Sequence, residues 1–387
     1  MKAVNYLLVP YKGFSKETWR IFSAGFINAM SLMIIIYLSL YLNSLHYSVI
    51  EIGIVLSLFG FFSIVGGYLG GLLSDRLTPL RVCKISLLSS ALLLFPLGVI
   101  KVPLLLIILM CGFGVSSNIF RPAFILTITH GEHQGSLEKI VALRRVAINL
   151  GMAFGAAISG FLASKDIYFV FVFNAFSSLI SFLIIFSMKD QKLNKNPKSE
   201  ATGNNQSQVS QSNFYFLLVL MFFILLVFNQ SLSTYPLFLK NSQNFTPSFI
   251  SFLYVISGVL IAFFQVPITH ILKNKKSNFV CASGVLLIGL GFLVLPWAKD
   301  VLLVIFSCVL WTFGEIILFP AQLAMLLRAS GEKKGGSMGL YQTVFSLASF
   351  FSPMLGMSVY AYDGNLIWYL SGLTAAVIAL LFLCKKF

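Results

Sequence analysis

Two ionised side chains in this 387-residue sequence stand inside long apolar runs: Glu315, within WTFGEIILFPA at 311–321, and Arg121, within GVSSNIFRPAF at 114–124. The other acids fall at run ends or in polar segments. A charge at the centre of a bilayer costs about 2.5 to 3.5 kcal/mol even on a lenient scale, so each of these two is a candidate for chemistry. A carboxyl in an apolar surrounding can take up a proton from one side and release it on the other, which is what a proton-coupling group must do. Its alternative is a buried glutamate held by neighbouring helices and never titrating. For Arg121 one role is to contact an anionic group on a ligand. The other is repair: Pro122 withdraws a backbone donor and leaves the Asn118 carbonyl without its partner, which a guanidinium would satisfy. The five cysteines carry no CxxC and no Cys/His spacing suited to a metal, so free thiols and no metal are expected. There is no GxxxxGK[ST] loop for a nucleotide.

What must position these side chains is a set of long helices. The chain is 58% hydrophobic and only 10% charged, with a mean hydropathy of +0.91, which excludes a soluble globule. Apolar runs of about 20 residues, the length a bilayer requires, number twelve; the first covers roughly 19 to 42 and the seventh roughly 214 to 238. Basic residues outnumber acids 27 to 12, a balance that raises nucleic acid as a partner until the bases are placed. If the N-terminus is cytoplasmic, 22 bases fall on the inner side and 4 on the outer, with Arg121 left inside a run. Orientation in a membrane accounts for the charge, and no nucleic acid is expected. No cleavable leader is read at the N-terminus, and both termini are expected in the cytoplasm.

Residues 189–213, KDQKLNKNPKSEATGNNQSQVSQSN, are polar and form an expected cytoplasmic linker between a six-helix bundle at 1–188 and another at 214–387. The two halves repeat at an offset of about 198 residues: Pro122-Ala123 matches Pro320-Ala321, and Val82-Cys83 matches Val280-Cys281. NLGMAFGAAISG from Asn149 likewise matches SLASFFSPMLGM from Ser346.

Twelve spans, a six-plus-six repeat and a polar centre resemble the major facilitator superfamily along essentially the whole chain. GLLSDRLTPLR at 71–81 resembles that family's loop signature in Gly71, Asp75 and Arg76, but has Thr78 where Gly is usual, Pro79 and Leu80 in place of bases, and Arg81 one place late. WTFGEIILFPA followed by GGSMGLYQ at 335–342 resembles the proton-coupled multidrug-exporter branch. The glycine-rich fifth run resembles the antiporter motif, with Ala156 where that motif carries Pro.

The resemblance implies an all-α membrane protein with twelve transmembrane helices in two pseudo-symmetric bundles. It implies a proton-coupled secondary transporter, not an enzyme, that exports drug-like or amphipathic molecules by alternating access. Two alternatives stand beside it: a transporter of an anionic metabolite or siderophore, and a transport-inactive sensor or scaffold. Glu315 is then the coupling site. Cavity candidates on spans 1, 4, 7 and 10 are Asn28, Ser31, Tyr37, Asn118, Arg121, Asn229, Gln230, Thr234, Tyr235, Trp311 and Gln322. Asp75, Arg76 and Arg81 are gating candidates, Asp75 as acceptor for the amides near Gly336 and Ser337. Expected partners are a small-molecule substrate, protons and the bilayer of the inner membrane, with no cofactor and a monomeric state.

Overall fold

The structure, a computed structural model, describes residues 15–130, 137–189, 211–272, 274–329 and 334–385. The linker expected at 189–213 lies almost wholly outside the described residues. Every regular element among the described residues is a helix. Twelve spans are long and apolar enough to cross a membrane: Lys16–Ser44, Val49–Arg76, Pro79–Leu97, Pro103–Ile128, Val146–Ala163, Ile167–Phe186, Asn213–Asn241, Pro247–Leu272, Ser277–Trp297, Val301–Leu326, Leu340–Tyr362 and Leu366–Cys384. They are the twelve that composition predicts, because an apolar run of this length has no other way to satisfy its backbone in lipid.

Several span starts are fixed by side chains that accept from otherwise orphaned amides. Ser15 Oγ accepts from Thr18 N at 3.1 Å, Asp166 Oδ1 from Tyr168 N at 2.8 Å, and Asp300 Oδ1 from Leu303 N at 2.9 Å. All five cysteines are free, four of them buried.

Contacts divide the chain into two compact units, Met1–Ile34 with Phe62–Glu200 and Ile35–Phe61 with Ala201–Phe387. The boundary therefore runs through the first and second spans and not only through the centre of the chain.

Within the first unit the first span packs on the fifth and sixth, and the third on the fourth and sixth. Gly151 and Gly155 let the fifth span lie directly on the first: a Cβ on either would collide with the carbonyl oxygen of Phe26 or Met30. This is the small-residue contact by which helices associate in lipid without a hydrophobic drive. A serine cluster joins the third and fourth spans, with Ser86 Oγ donating to Ser116 O at 2.6 Å and Ser116 Oγ to Ser86 O at 3.0 Å.

Within the second unit the same pairing recurs: the ninth span packs on the tenth and twelfth, and the seventh on the eleventh and twelfth. Its core is aromatic. Phe292 lies 6.4 Å from Trp311 and 5.7 Å from Trp368, and Tyr235 sits edge-on to both tryptophans at 6.4 and 6.3 Å. The repeat reaches the backbone itself. The two non-glycine residues with positive φ among those described are His46 at 65° and Asn244 at 58°, which stand 198 apart, each in the loop that follows the first span of its half.

Candidate functional site

In the first unit the polar candidates stand on the first and fourth spans. Asn28 and Ser31 are buried, and Ser31 Oγ donates back to the Asn28 carbonyl at 2.7 Å. Asn118 is half-buried and spends its amide on the Gly114 carbonyl at 3.0 Å, one turn back. Arg121, three residues on, is exposed. Among the described residues no hydrogen bond joins it to the Asn118 carbonyl, so Pro122 is not repaired by the guanidinium. The proline ring instead faces the second span, where a Cβ on Gly70 would meet Pro122 Cγ at 2.7 Å. The guanidinium is left without a hydrogen bond or ion pair among the described residues.

Asp75 and Arg76 close the last turn of the second span and Arg81 stands in the first turn of the third, all three exposed. Where this stretch departs from the family signature, it begins a helix. Thr78 is the N-cap of the third span, its Oγ1 accepting from Arg81 N at 3.4 Å, and Pro79 occupies the first turn, where its missing N–H costs nothing. Asp75 makes no hydrogen bond among the described residues. Gly336 and Ser337, its expected partners, belong to the other unit, at the start of the helix Lys334–Tyr362.

In the second unit Glu315 sits midway along the tenth span and is half-buried, while Trp311, Leu318 and Gln322 on its face are buried. At about 100° per residue the carboxyl stands between two stripes. Trp311 and Leu318 face the ninth span, against Gly291 and Gly284. Phe319 stacks edge-on with Phe228 of the seventh span at 4.9 Å. Glu315 makes no hydrogen bond or ion pair among the described residues.

The remaining candidates are turned into the unit. Gln230, 3% exposed, donates to Ser352 Oγ at 2.9 Å, to Ser352 O at 3.0 Å and to Leu226 O at 3.1 Å, and its Oε1 accepts from Thr234 at 2.6 Å. Asn229 reaches Ser349 Oγ at 3.4 Å. The Tyr37 hydroxyl hydrogen-bonds Ser251. Among the described residues Gln322 Nε2 is buried without a hydrogen-bond partner, while the Tyr235 hydroxyl faces the Trp311 indole. The structure thus brings Gln230 and Thr234 together with Ser352, which sequence reasoning missed. The signal was available in Gly356, one turn beyond Ser352: any Cβ there would overlap Gln230 Oε1.

The description Major Facilitator Superfamily matches residues 21–353. The chain belongs to that superfamily. Among its relatives, Multidrug resistance protein 1 of Bacillus subtilis (strain 168) is 25% identical over 346 residues, covering 87% of each chain. Quinolone resistance protein NorA of Staphylococcus aureus (strain COL) is 22% identical over 338 residues, covering 85% of each. Among solved structures, a POT family transporter in complex with a thioalcohol-conjugated peptide superposes with a TM-score of 0.79 at 14% identity, over 95% of this chain and 96% of that one. The nucleoside transporter NupG gives 0.76 at 14%, over 96% and 99%. At such identity the solved structures show the fold alone. This major facilitator protein is a multi-pass membrane transporter.

Proposed function

We propose that this chain is a proton-coupled exporter of drug-like or amphipathic molecules in the inner membrane, working as a monomer by alternating access with both termini cytoplasmic. The observation that carries the reading is Glu315: a carboxyl in the middle of a span, half-buried beside aromatic rings, with no partner among the described residues to hold it charged. An unpaired carboxylate there costs several kcal/mol, which protonation removes, so its proton occupancy responds to whatever opens the site to water. The names of the curated relatives, which speak of multidrug and quinolone resistance, support export of such compounds. Asn28, Asn118 and Arg121 on the first and fourth spans, and Glu315 on the tenth, are the polar groups we take as candidates to meet cargo or proton. Tyr235 and Trp311 pack edge-on in the same unit as the carboxyl.

Reconstituted vesicles provide the test. Glu315→Gln mimics the protonated state permanently, so uptake driven by a proton gradient is lost while equilibrium exchange of substrate persists; Glu315→Asp retains part of the coupling. Full gradient-driven transport by the Gln variant removes Glu315 as the coupling site. The exposed guanidinium of Arg121, unpartnered among the described residues, favours a second reading in which the cargo is an anionic metabolite or siderophore. A transport-inactive sensor would show no flux in either assay.

A further inference from the structure

The first and seventh spans are repeat mates, and both are interrupted at matching places. The first is broken at Leu32–Met33, between helices Lys16–Ser31 and Ile34–Ser44, and the seventh at Asn229–Ser233, between helices Gln211–Phe228 and Thr234–Asn241.

The causes of the two breaks differ. In the seventh span Pro236 offers no N–H to the Leu232 carbonyl four residues back, so the ladder is cut by covalent structure. The cut is then riveted: Gln230 binds Ser352 twice and Thr234 once, and the Tyr254 hydroxyl donates to the freed carbonyl of Ser231.

In the first span Leu38 stands at the position matching Pro236, and no Gly or Pro occurs from Phe26 to Ser44. The residues at this break, Leu32 and Met33, are good helix formers. Its side-chain and turn bonds, Ser31 Oγ to Asn28 O at 2.7 Å and Leu32 N to Ala29 O at 3.2 Å, stay within one turn. Nothing local demands it. The unit boundary falls just beyond, between Ile34 and Ile35. The segment that follows is held in the second unit by the Tyr37–Ser251 bond and by a reciprocal pair between repeat mates. Asn43 Nδ2 donates to Asn241 Oδ1 at 3.2 Å, and Asn241 Nδ2 to Asn43 Oδ1 at 3.1 Å.

We propose that the break in the first span is conditional and the break in the seventh permanent. Ile34–Ser44 is a strap, latched to the second unit by the two asparagines and by Tyr37. When the latch releases, the first span closes into one continuous helix while the seventh keeps its kink. The two halves, alike in sequence pattern, are mechanically unlike. This rests on the reading of the chain as a transporter that alternates between two arrangements, but needs neither proton coupling nor any particular cargo.

The test is a pair of spin-label distances in the full chain in lipid nanodiscs, with Cys384→Ser and the four buried cysteines kept. One pair, Ser23→Cys with Ser44→Cys, straddles the first break; the other, Val219→Cys with Ser242→Cys, straddles the second. A continuous helix separates the first pair by about 31 Å along its axis, and a kink shortens that distance. Asn43→Ala with Asn241→Ala is expected to raise the long population of the first pair about fivefold, the weight of two exposed hydrogen bonds at the weak end of their range. The second pair should stay single and unmoved. Should the alanine variant fail to fold, Asn43→Asp with Asn241→Asp serves instead: two carboxylates repel at high pH and re-pair when protonated, so the first distance lengthens as pH rises. A first-pair distance that stays single and short in both variants, or a second-pair distance that moves as far as the first, overturns the proposal. Loss of proton-driven flux in Glu315→Gln without change in either distance would bear on coupling alone.

Discussion

At the residue scale, what separates Arg121 from Glu315 is the company each keeps. Glu315 stands beside aromatic side chains within its unit; Arg121 is exposed and its neighbour Asn118 has turned its amide to Gly114. If the guanidinium clamps an anionic group on the cargo, Arg121→Lys loses the planar fork and weakens binding at least about tenfold, with the melting temperature unchanged. If it instead braces the helix, Arg121→Ala lowers the melting temperature and leaves binding alone. Measuring both on both variants separates the roles, and no change in either quantity assigns the residue neither. That these two side chains stand within membrane spans was legible in the sequence, since a charged residue type inside an apolar run is visible without coordinates. Their partnering was not: the expected bond from Arg121 to the Asn118 carbonyl depends on a rotamer and on the second span, which approaches Pro122 through Gly70. Likewise Gln230 reads as a cavity residue by its place on the seventh span, and only the proximity of Ser352, 122 residues away, reveals that its amide is spent on a neighbouring helix.

At the scale of elements, length and apolarity determine the spans, and these are properties of sequence; where a span bends is a property of what it packs against. The Pro236 break is readable from composition, whereas the break at Leu32–Met33 has no breaker residue to announce it. The rivet across the seventh span leads to a direct expectation. Gly356→Ala forces a methyl into Gln230 Oε1, and Gln230→Leu leaves Ser352 and Thr234 without their amide, so each costs about 1 to 3 kcal/mol. Thermal melts in detergent read the loss, and a Gly356→Ala protein as stable as the parent would show that the contact yields without cost. Asp75 belongs to a different place, the exposed last turn of the second span. Asp75→Asn there is expected to slow conformational exchange while leaving substrate affinity within about twofold, because it stands at the exposed end of its span and not midway along it. Cysteine accessibility from the linker side, followed in time, measures the exchange; unchanged accessibility together with unchanged flux removes the gating role.

For the molecule as a whole, the excess of bases on alternate connections, 22 against 4, sets the orientation expected for all twelve spans. A reporter fused at Gly203 should read cytoplasmic, and a periplasmic reading would invert every assignment of side. The internal repeat, legible as a 198-residue offset, extends from helix pairing to the left-handed loop residues His46 and Asn244. The second unit is completed by a piece of chain made long before the rest of it. Gly53, at the start of the second span, fits against Pro353 and Met357 of the eleventh, with 2.8 Å from its Cβ position to Met357 Cβ. A ribosome adding about 5 to 20 residues per second needs roughly 15 to 60 s to make the intervening 300 or so residues. Throughout that interval residues 35–61 are already in the bilayer with the face that will meet the eleventh span turned to lipid or to the insertion machinery. The nascent protein is therefore a half-dressed intermediate, and its safe passage depends on what shields that face until the eleventh span arrives.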